Sequence, residues 1–308
     1  MQLSGREVLI TGGAGFIGSH LAESLLPEND VTVVDDLSTG HREWVPDDAA
    51  IVEGDVGEPA VAREAITPGL DLVVHCAAEK QVDAADPRRQ FEENIGTTYT
   101  VLQRMSEVEV TRLLFTSSST VYGEAPRPTP EDYGPLEPIS AYGAAKLAEE
   151  GLCSTYAHSH GFIVWNVRFA NIVGSRLQRG AVIPDFIAKL RDDPARLEIL
   201  GDGRQEKSYM HVSDCVDAMC HVVRQANGAM NTYNLGTRTT TSVRRIADIV
   251  ADEMDLDPAY DFTGGDRGWT GDVPRMRLAI EKLEALEWDP TFESDEAVRR
   301  ATRELLDH

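Results

Sequence analysis

Tyr142 and Lys146 stand four residues apart in the stretch Ser140-Ala141-Tyr142-Gly143-Ala144-Ala145-Lys146. On a helix, residues i and i+4 share a face, so the ammonium lies near the phenol. A neighbouring cation favours phenolate and draws the phenol down from its ordinary value of about 10. Each unit corresponds to about 1.4 kcal/mol, so a base poised near neutrality needs roughly 4 kcal/mol of such help. A hydroxyl cluster, Ser117-Ser118-Ser119-Thr120, precedes the pair. Tyrosine, lysine and serine together can move a proton on and off an alcohol. Tyr and Lys at this spacing are common, however, and the pair gains meaning only from what accompanies it.

The company is a glycine loop near the N-terminus, Thr11-Gly12-Gly13-Ala14-Gly15-Phe16-Ile17-Gly18. It follows an apolar run, Val8-Leu9-Ile10, and opens a helical pattern through Phe16, Ile17, Leu21, Leu25 and Leu26. Strand, glycine turn and helix in that order cradle a pyrophosphate. Gly12 permits the turn, Gly15 admits backbone close to phosphate, and Gly18 lets the helix pack on the strand. The first helical N–H groups then face the negative charge. A second apolar run, Val31-Thr32-Val33-Val34, ends in Asp35-Asp36, roughly twenty residues on, where a carboxylate binds the adenosine ribose. Two acids there would repel a 2′-phosphate, so NAD is expected rather than NADP. Arg42 lies near enough in sequence to count against this, and reads as a solvated loop charge. A bound oxidised nicotinamide, itself cationic, would acidify Tyr142 further.

The elements that must position these groups alternate. Apolar runs at 50–53, 70–75 and 112–116 continue the strand series, with a helical stretch from about Asp86 to Val108. This alternation predicts an α/β doubly wound parallel sheet, a Rossmann fold, with the ligand crevice along the carboxyl edge of the strands. Residues 123–139 hold five prolines and no periodicity, which marks a long functional loop. A helix over about Ala141–Ser159 and a strand over 162–167 follow. Residues 1–170 are read as a dinucleotide-binding domain and 171–308 as a smaller C-terminal α/β substrate lobe, with parts returning to the first domain. Helical pieces there are expected at 183–191, 214–224 and 243–254.

The chain of 308 residues carries a net charge of −23, with 52 acidic against 29 basic residues, and lysine is scarce beside arginine. Dispersed negative charge argues against nucleic acid and anionic membrane as partners. With the lysine depletion, it suggests adaptation to a salt-rich cytoplasm, where screening removes self-repulsion. No apolar run approaches membrane-spanning length and no signal peptide is readable, so a cytoplasmic location is expected. Cys76, Cys153, Cys215 and Cys220 form no CxxC pair, and neither they nor the histidines have metal-ligand spacing. No metal is expected.

Taken together, TGGAGFIGSHL, DDLSTG, HCAAEK, ENIGTTYTVL, SSSTVYGE, YGAAK, RFANIVG, GDGRQEKSYMHVSD and RGWTGDVP resemble the extended short-chain dehydrogenase/reductases. Within these the chain is most similar to the nucleotide-sugar epimerase/dehydratase group, in particular its UDP-glucose 4-epimerase-like members. The resemblance implies that Gly12, Gly15, Phe16 and Ile17 hold the pyrophosphate. It likewise implies Asp35, with Asp36, at the adenosine ribose, and Asp55 and Val56 beside adenine. Ala77, Ala78 and Lys80 approach the nicotinamide, and Asn94 supports that wall. Ser118 hydrogen-bonds the reacting hydroxyl, Tyr142 is general base and acid, and Lys146 tunes it and binds the nicotinamide ribose. Asn171, Lys207, Arg267 and Asp272 fall on the side of the sugar-nucleotide diphosphate. Lys207 stands where many relatives carry Arg, and Met276 reads equally as a residue beside the sugar's N-acetyl group or as packing.

Dehydratases of the family follow the catalytic hydroxyl residue with Asp-Glu. Here Ser119 and Thr120 occupy those positions, and neither is a general acid. The expected activity is therefore 4-epimerisation of a UDP-hexose, including N-acetyl forms, by a homodimeric isomerase holding NAD. The alternatives are a dehydratase, decarboxylase or reductase of the same family, or a catalytically silent NAD-binding protein. For decarboxylation, Arg176, Arg179 or Arg204 would have to recognise a sugar carboxylate.

Overall fold

The computed structural model describes residues 1–80, 86–268 and 271–307. Trp269 and Thr270 of the RGWTGDVP motif lie outside the described residues. The chain divides into two compact units. One comprises residues 1–121, 140–168 and 216–233, and the other 122–139, 169–215 and 234–308.

The first unit is built on β1 (Glu7–Thr11), α1 (Phe16–Leu25), β2 (Asp30–Asp35), β3 (Ala50–Glu53), α2 (Pro59–Ala65), β4 (Leu72–His75), α3 (Pro87–Glu107), β5 (Arg112–Ser118), α4 (Ala141–Ser159) and β6 (Ile163–Phe169). Continuous apolar runs such as Val8–Ile10 and Leu72–Val74 are fully buried, as a parallel sheet covered on both faces requires. The chain continues through β7 (Asn171–Val173), α5 (Val182–Asp192), β8 (Arg196–Ile199), β9 (Glu206–Lys207), β10 (Tyr209–His211), α6 (Val212–Gln225) and β11 (Met230–Leu235). The main sheet has seven strands in the order β11-β6-β5-β4-β1-β2-β3. β1 pairs in parallel with both β2 and β4, which puts the glycine loop between their carboxyl ends. The doubly wound sheet expected from the sequence is present, with Met230–Leu235 as an additional strand.

Two helices matter most for the site. α3 starts where Asp86 accepts a hydrogen bond from Arg89 N at 3.0 Å, with Pro87 in its first turn. Exposed pairs Arg88–Glu92 and Arg89–Glu93 follow at helical spacing. α4 is capped by Ser140, whose Oγ accepts from Gly143 N at 3.1 Å. Leu102, Met105, Cys153 and Phe162 join the strand residues in one fully buried core. Full burial of such side chains contributes about 1.5–3 kcal/mol each, which locks both helices onto the sheet.

The second unit has its own core of Ile183, Leu190, Leu197, Ile246, Ile249, Val250, Val298 and neighbours. It completes with β12 (Thr241–Ser242), α7 (Val243–Glu253), β13 (Ala259–Phe262), β14 (Arg275–Met276), α8 (Glu281–Glu284) and α9 (Ser294–Leu306). Among the described residues, no helix is long and apolar enough to cross a membrane, and no group of three or more His, Cys, Asp or Glu side chains could hold a metal ion.

Candidate active site

The glycine loop is tight enough to explain its composition. Gly12 has φ +65, and a Cβ on it would lie 2.7 Å from Ala77 N. A Cβ on Gly18 would lie 2.3 Å from the Gly12 carbonyl oxygen, so only glycine lets α1 start this close to the strand. Gly15 is the N-cap of α1 and no side chain caps that end. Phe16 and Ile17 form its first turn, and their N–H groups are among those no helical carbonyl satisfies. The cradle fits a dinucleotide pyrophosphate: glycine where any side chain would intrude, beside a helix end with donors to offer.

Asp35 ends β2 and is buried. Its Oδ2 accepts from Ala14 N and its Oδ1 from Leu37 N, each at 2.9 Å. Burial raises its pKa above the ordinary carboxylate value against the pull of those two N–H groups. Gly40 is pressed against it, since a Cβ there would lie 2.7 Å from Oδ1. Asp36 is exposed and turned into its own turn, accepting from Ser38 N and Ser38 Oγ at 3.0 and 2.7 Å. The structure thus separates the two acids. Asp35 belongs to the cradle and Asp36 to the solvent side. Asp55 is also exposed and accepts from Gly57 N at 2.7 Å, while Val56 is buried beside it.

After β4 the chain runs through Cys76, Ala77, Ala78, Glu79 and Lys80 without regular structure. Asn94, buried on α3, pins this segment from both sides of one residue. Its Oδ1 accepts from Glu79 N at 2.8 Å and its Nδ2 donates to Glu79 O at 2.9 Å. An amide side chain here does what a neighbouring strand would do. Ala77 and Ala78 are half-buried and Lys80 is exposed.

Ser118 is the last residue of β5. Its Oγ accepts from Thr120 N at 3.2 Å and from Thr120 Oγ1 at 3.0 Å. With both lone pairs engaged, the Ser118 proton is free to be donated. Tyr142 sits in the first turn of α4, half-buried, with Lys146 one turn on. Lys146 Nζ lies 5.9 Å from the Tyr142 ring centroid and 4.8 Å from that of Phe115.

The expectation that Lys146 draws the Tyr142 phenol below its ordinary value is corrected by the structure. Burial pushes the phenol above its ordinary value; Lys146 pulls it down, and Glu149 pushes it up again. Lys146 is itself buried, which disfavours its charge, but Glu149 and Tyr142 reverse this and hold it above its ordinary value. Glu149 Oε2 is 3.0 Å from Lys146 Nζ. The sequence reading omitted this counter-ion, although an acid three residues after a helical lysine was a visible signal. It also omitted Glu150, which faces elsewhere: Arg168 Nε and Nη2 donate to its two oxygens at 2.9 and 2.7 Å, and Ser117 Oγ donates at 2.5 Å.

In the second unit, Asp272 gathers Lys207 and Arg267 of the predicted residues. Lys207 Nζ donates to its Oδ1 at 2.6 Å, Gly268 N to its Oδ2 at 3.0 Å, and Arg267 Nη1 to its backbone oxygen at 2.6 Å. Arg267 also pairs with Glu124. Asn171 opens β7 with both its N and its Nδ2 directed at Ser208 O. Met276 is buried on β14.

The chain is similar to several known proteins. A UDP-glucose 4-epimerase from Corynebacterium glutamicum is 31% identical over 313 residues, covering 89% of this chain and 94% of that one. The crystal structure of a UDP-galactose 4-epimerase superposes with TM-score 0.89 at 40% identity, covering 98% of this chain and 99% of that chain. The UDP-glucose 4-epimerase of Thermus thermophilus, in complex with NAD, superposes with TM-score 0.86 at 30% identity, covering 97% and 98%. A sequence profile of the NAD dependent epimerase/dehydratase family matches residues 8–236, and with the glycine cradle and the Ser118, Tyr142 and Lys146 side chains in place, this chain belongs to that family.

Proposed function

We propose that the protein is a nucleotide-sugar 4-epimerase acting on UDP-glucose and UDP-galactose. The observation that carries this reading is the environment of Ser118. Where elimination of water would call for an acid pair, Ser119 and Thr120 follow, and Thr120 leaves the Ser118 hydroxyl proton to be donated. That suits a serine meeting the sugar 4-oxygen, and supplies no carboxylate to protonate a departing C6 hydroxyl.

The glycine cradle and Asp35 hold NAD, which supplies reversible hydride exchange at C4 through a transient 4-keto sugar. Tyr142 takes the proton from the 4-hydroxyl and returns it to the oxygen of the epimeric product. Ser118 donates to the same oxygen and orients it. Lys146 holds positive charge beside the phenol, and Asn94 keeps the wall at Glu79 in place. Asn171, Lys207, Arg267 and Asp272 are assigned to the nucleotide diphosphate side. The buried Asp272 fixes Lys207 and Arg267, in keeping with a preorganised cationic patch. The assignment is tested by incubating the purified protein with UDP-glucose, UDP-galactose and their N-acetyl forms. Interconversion at C4 without net change in NAD is expected; a stable 4-keto-6-deoxy product as sole outcome would refute it.

The same reading takes the enzyme as a cytoplasmic homodimer adapted to salt. The acidic excess of 52 over 29 supports the last point, and Tyr99, half-exposed on α3, supports a helical seam between copies. Sedimentation in concentrated KCl tests the dimer. Equal stability in low and multimolar KCl would exclude salt adaptation.

A further inference from the structure

Behind Tyr142 a line of buried polar groups runs from the cofactor loop to Lys146, and its hydrogens follow from donor capacity and the burial of His75. Thr98 Oγ1 donates to Glu149 Oε2 at 3.0 Å. A hydroxyl has one proton, so Thr98 must accept from His75 Nε2, 3.0 Å away. Burial, with Lys146 nearby, pushes the His75 pKa down to about 3, so the ring is neutral, Nδ1 is the acceptor, and Thr11 Oγ1, at 2.7 Å, donates to it. Thr11 Oγ1 in turn accepts from Ala77 N at 3.2 Å. Lys146 Nζ reaches Glu149 Oε2 from the other side at 3.0 Å. Each donor therefore has one acceptor, and all of the hydrogen bonds run toward the carboxylate. Thr11, His75, Thr98, Glu149 and Lys146 are each at most 2% exposed.

We infer that Glu149 is a positioning residue for the reaction: it fixes the Lys146 ammonium beside Tyr142 and, through Thr98, His75 and Thr11, ties that placement to the cofactor loop at Ala77. Three features of the geometry point this way. Both donors converge on Oε2, while Oε1 is buried with no hydrogen-bond partner among the described residues. A carboxylate held for stability alone would be expected to satisfy both oxygens, as Glu150 does with Arg168 and Ser117. The line also ends on the segment that carries Ala77 and Ala78, so a shift of that segment reaches the ammonium through contacts with fixed donor directions.

The groups facing Lys146 leave Glu149 to act. On its own helix these are Tyr142, Glu149 and Cys153, whose thiol burial pushes up. Glu150 faces Cys153 and is engaged by Arg168. The end of β4 contributes neutral His75 and Cys76, its thiol pushed up to about 12 mainly by burial. β5 contributes the uncharged Phe115 ring and α3 the Thr98 hydroxyl. Among the described residues, Glu149 is thus the carboxylate that sets how much of the ammonium's charge the phenol feels.

The inference rests on the epimerase reading, and its test is chosen so that the two can fail separately. The phenolate of Tyr142 is titrated by ultraviolet difference absorbance in the NAD-bound enzyme without sugar, with Tyr142→Phe as the blank. Glu149→Gln keeps the shape and removes the charge, so its midpoint is expected about one pH unit below that of the wild type. With UDP-glucose, the acidic limb of kcat moves down by the same amount. An unmoved or raised midpoint overturns the inference, because a merely structural carboxylate would change stability and rate without moving the titration. Wild-type protein that fails to epimerise any UDP-sugar would defeat the functional reading while leaving the titration result standing. If Glu149→Gln is not recovered folded, Thr98→Val keeps both charges and cuts the line. It is expected to lower kcat about tenfold with KM within twofold, and Thr98→Ser to restore it; wild-type kcat in Thr98→Val overturns the inference.

Discussion

The neutrality of His75 predicts a specific acid sensitivity. Unfolded, its imidazole titrates near 6.5; folded, burial and secondarily Lys146 hold it down to about 3. Between those values the unfolded chain binds a proton that the folded chain refuses, so stability is highest above pH 6.5 and falls as the pH drops toward 3. Protonation at Nδ1 would reverse its hydrogen bond with Thr11 Oγ1, which already receives Ala77 N, and would leave the Thr11 proton to find another acceptor. At pH 5 the unfolded imidazole is almost fully charged and the folded one almost fully neutral. The loss from this group alone is then about 2 kcal/mol relative to pH 7. His75→Gln replaces it with a neutral amide that can still accept from Thr11 and donate to Thr98. The assay is urea unfolding at pH 7 and pH 5 in concentrated KCl, which screens the many surface carboxylates. The wild type is expected to lose about 2 kcal/mol more than His75→Gln over that interval. Equal losses in the two proteins would mean that His75 carries its proton in the fold, and would undo the donor assignment of the whole buried line.

Three further outcomes follow from the site. Gly18→Ala places a Cβ 2.3 Å from Gly12 O and 2.8 Å from Gly13 Cα, both backbone, so the loop must shift; NAD is expected to be lost on purification, checked by nucleotide released on denaturation. Tyr142→Phe is expected to lower kcat by about 10²–10⁴-fold while NAD content stays at the wild-type level, since the phenol moves the proton and does not build the cradle. Glu150→Ala strands the buried Arg168 guanidinium without its two-pronged partner, and is expected to cost about 3–5 kcal/mol in urea unfolding.

What was legible in the sequence is what local chemistry determines. The helix expected over Ala141–Ser159 has those bounds in the structure because Ser140 caps it. The helix expected over Asp86–Val108 spans Pro87–Glu107, with Asp86 as its cap. The early strands show as unbroken apolar runs because both faces of a parallel sheet are covered. Met230–Leu235 was missed for the opposite reason: Asn231 occupies a buried position, made tolerable by donating to Val164 O at 3.0 Å and Gly228 O at 2.6 Å, so its pattern does not read as apolar. α9 was missed because charge dominates its composition: its fully buried apolar residues are the small Ala297, Val298 and Ala301, with Leu305 and Leu306 packing only partly buried at its end. Within the site, motif spacing pointed to Ser118, Tyr142 and Lys146; the helical spacing of Glu149 from Lys146 was readable too, but that Thr120 and Glu149 set the protons shows only in contacts of 3.0 Å.

Glu149 and Glu150 together explain how α4 can present Tyr142 in one orientation. Adjacent residues on a helix point about 100° apart, and the two carboxylates leave the helix in different directions to different partners. Glu149 is drawn toward α3 by Thr98 and engages Lys146. Glu150 is drawn toward the sheet by Ser117 on β5 and Arg168 on β6. A single buried ion pair would leave the helix free to roll about that contact. Two, with Ser117 adjoining Ser118 on the same strand, fix the roll of α4 and the end of β5 against each other. Any rotation of α4 against the end of β5 would have to break a charge-assisted hydrogen bond out of reach of water. The cost of burying two acids beside the site is offset by that constraint, and the proton-transfer groups inherit their alignment from it.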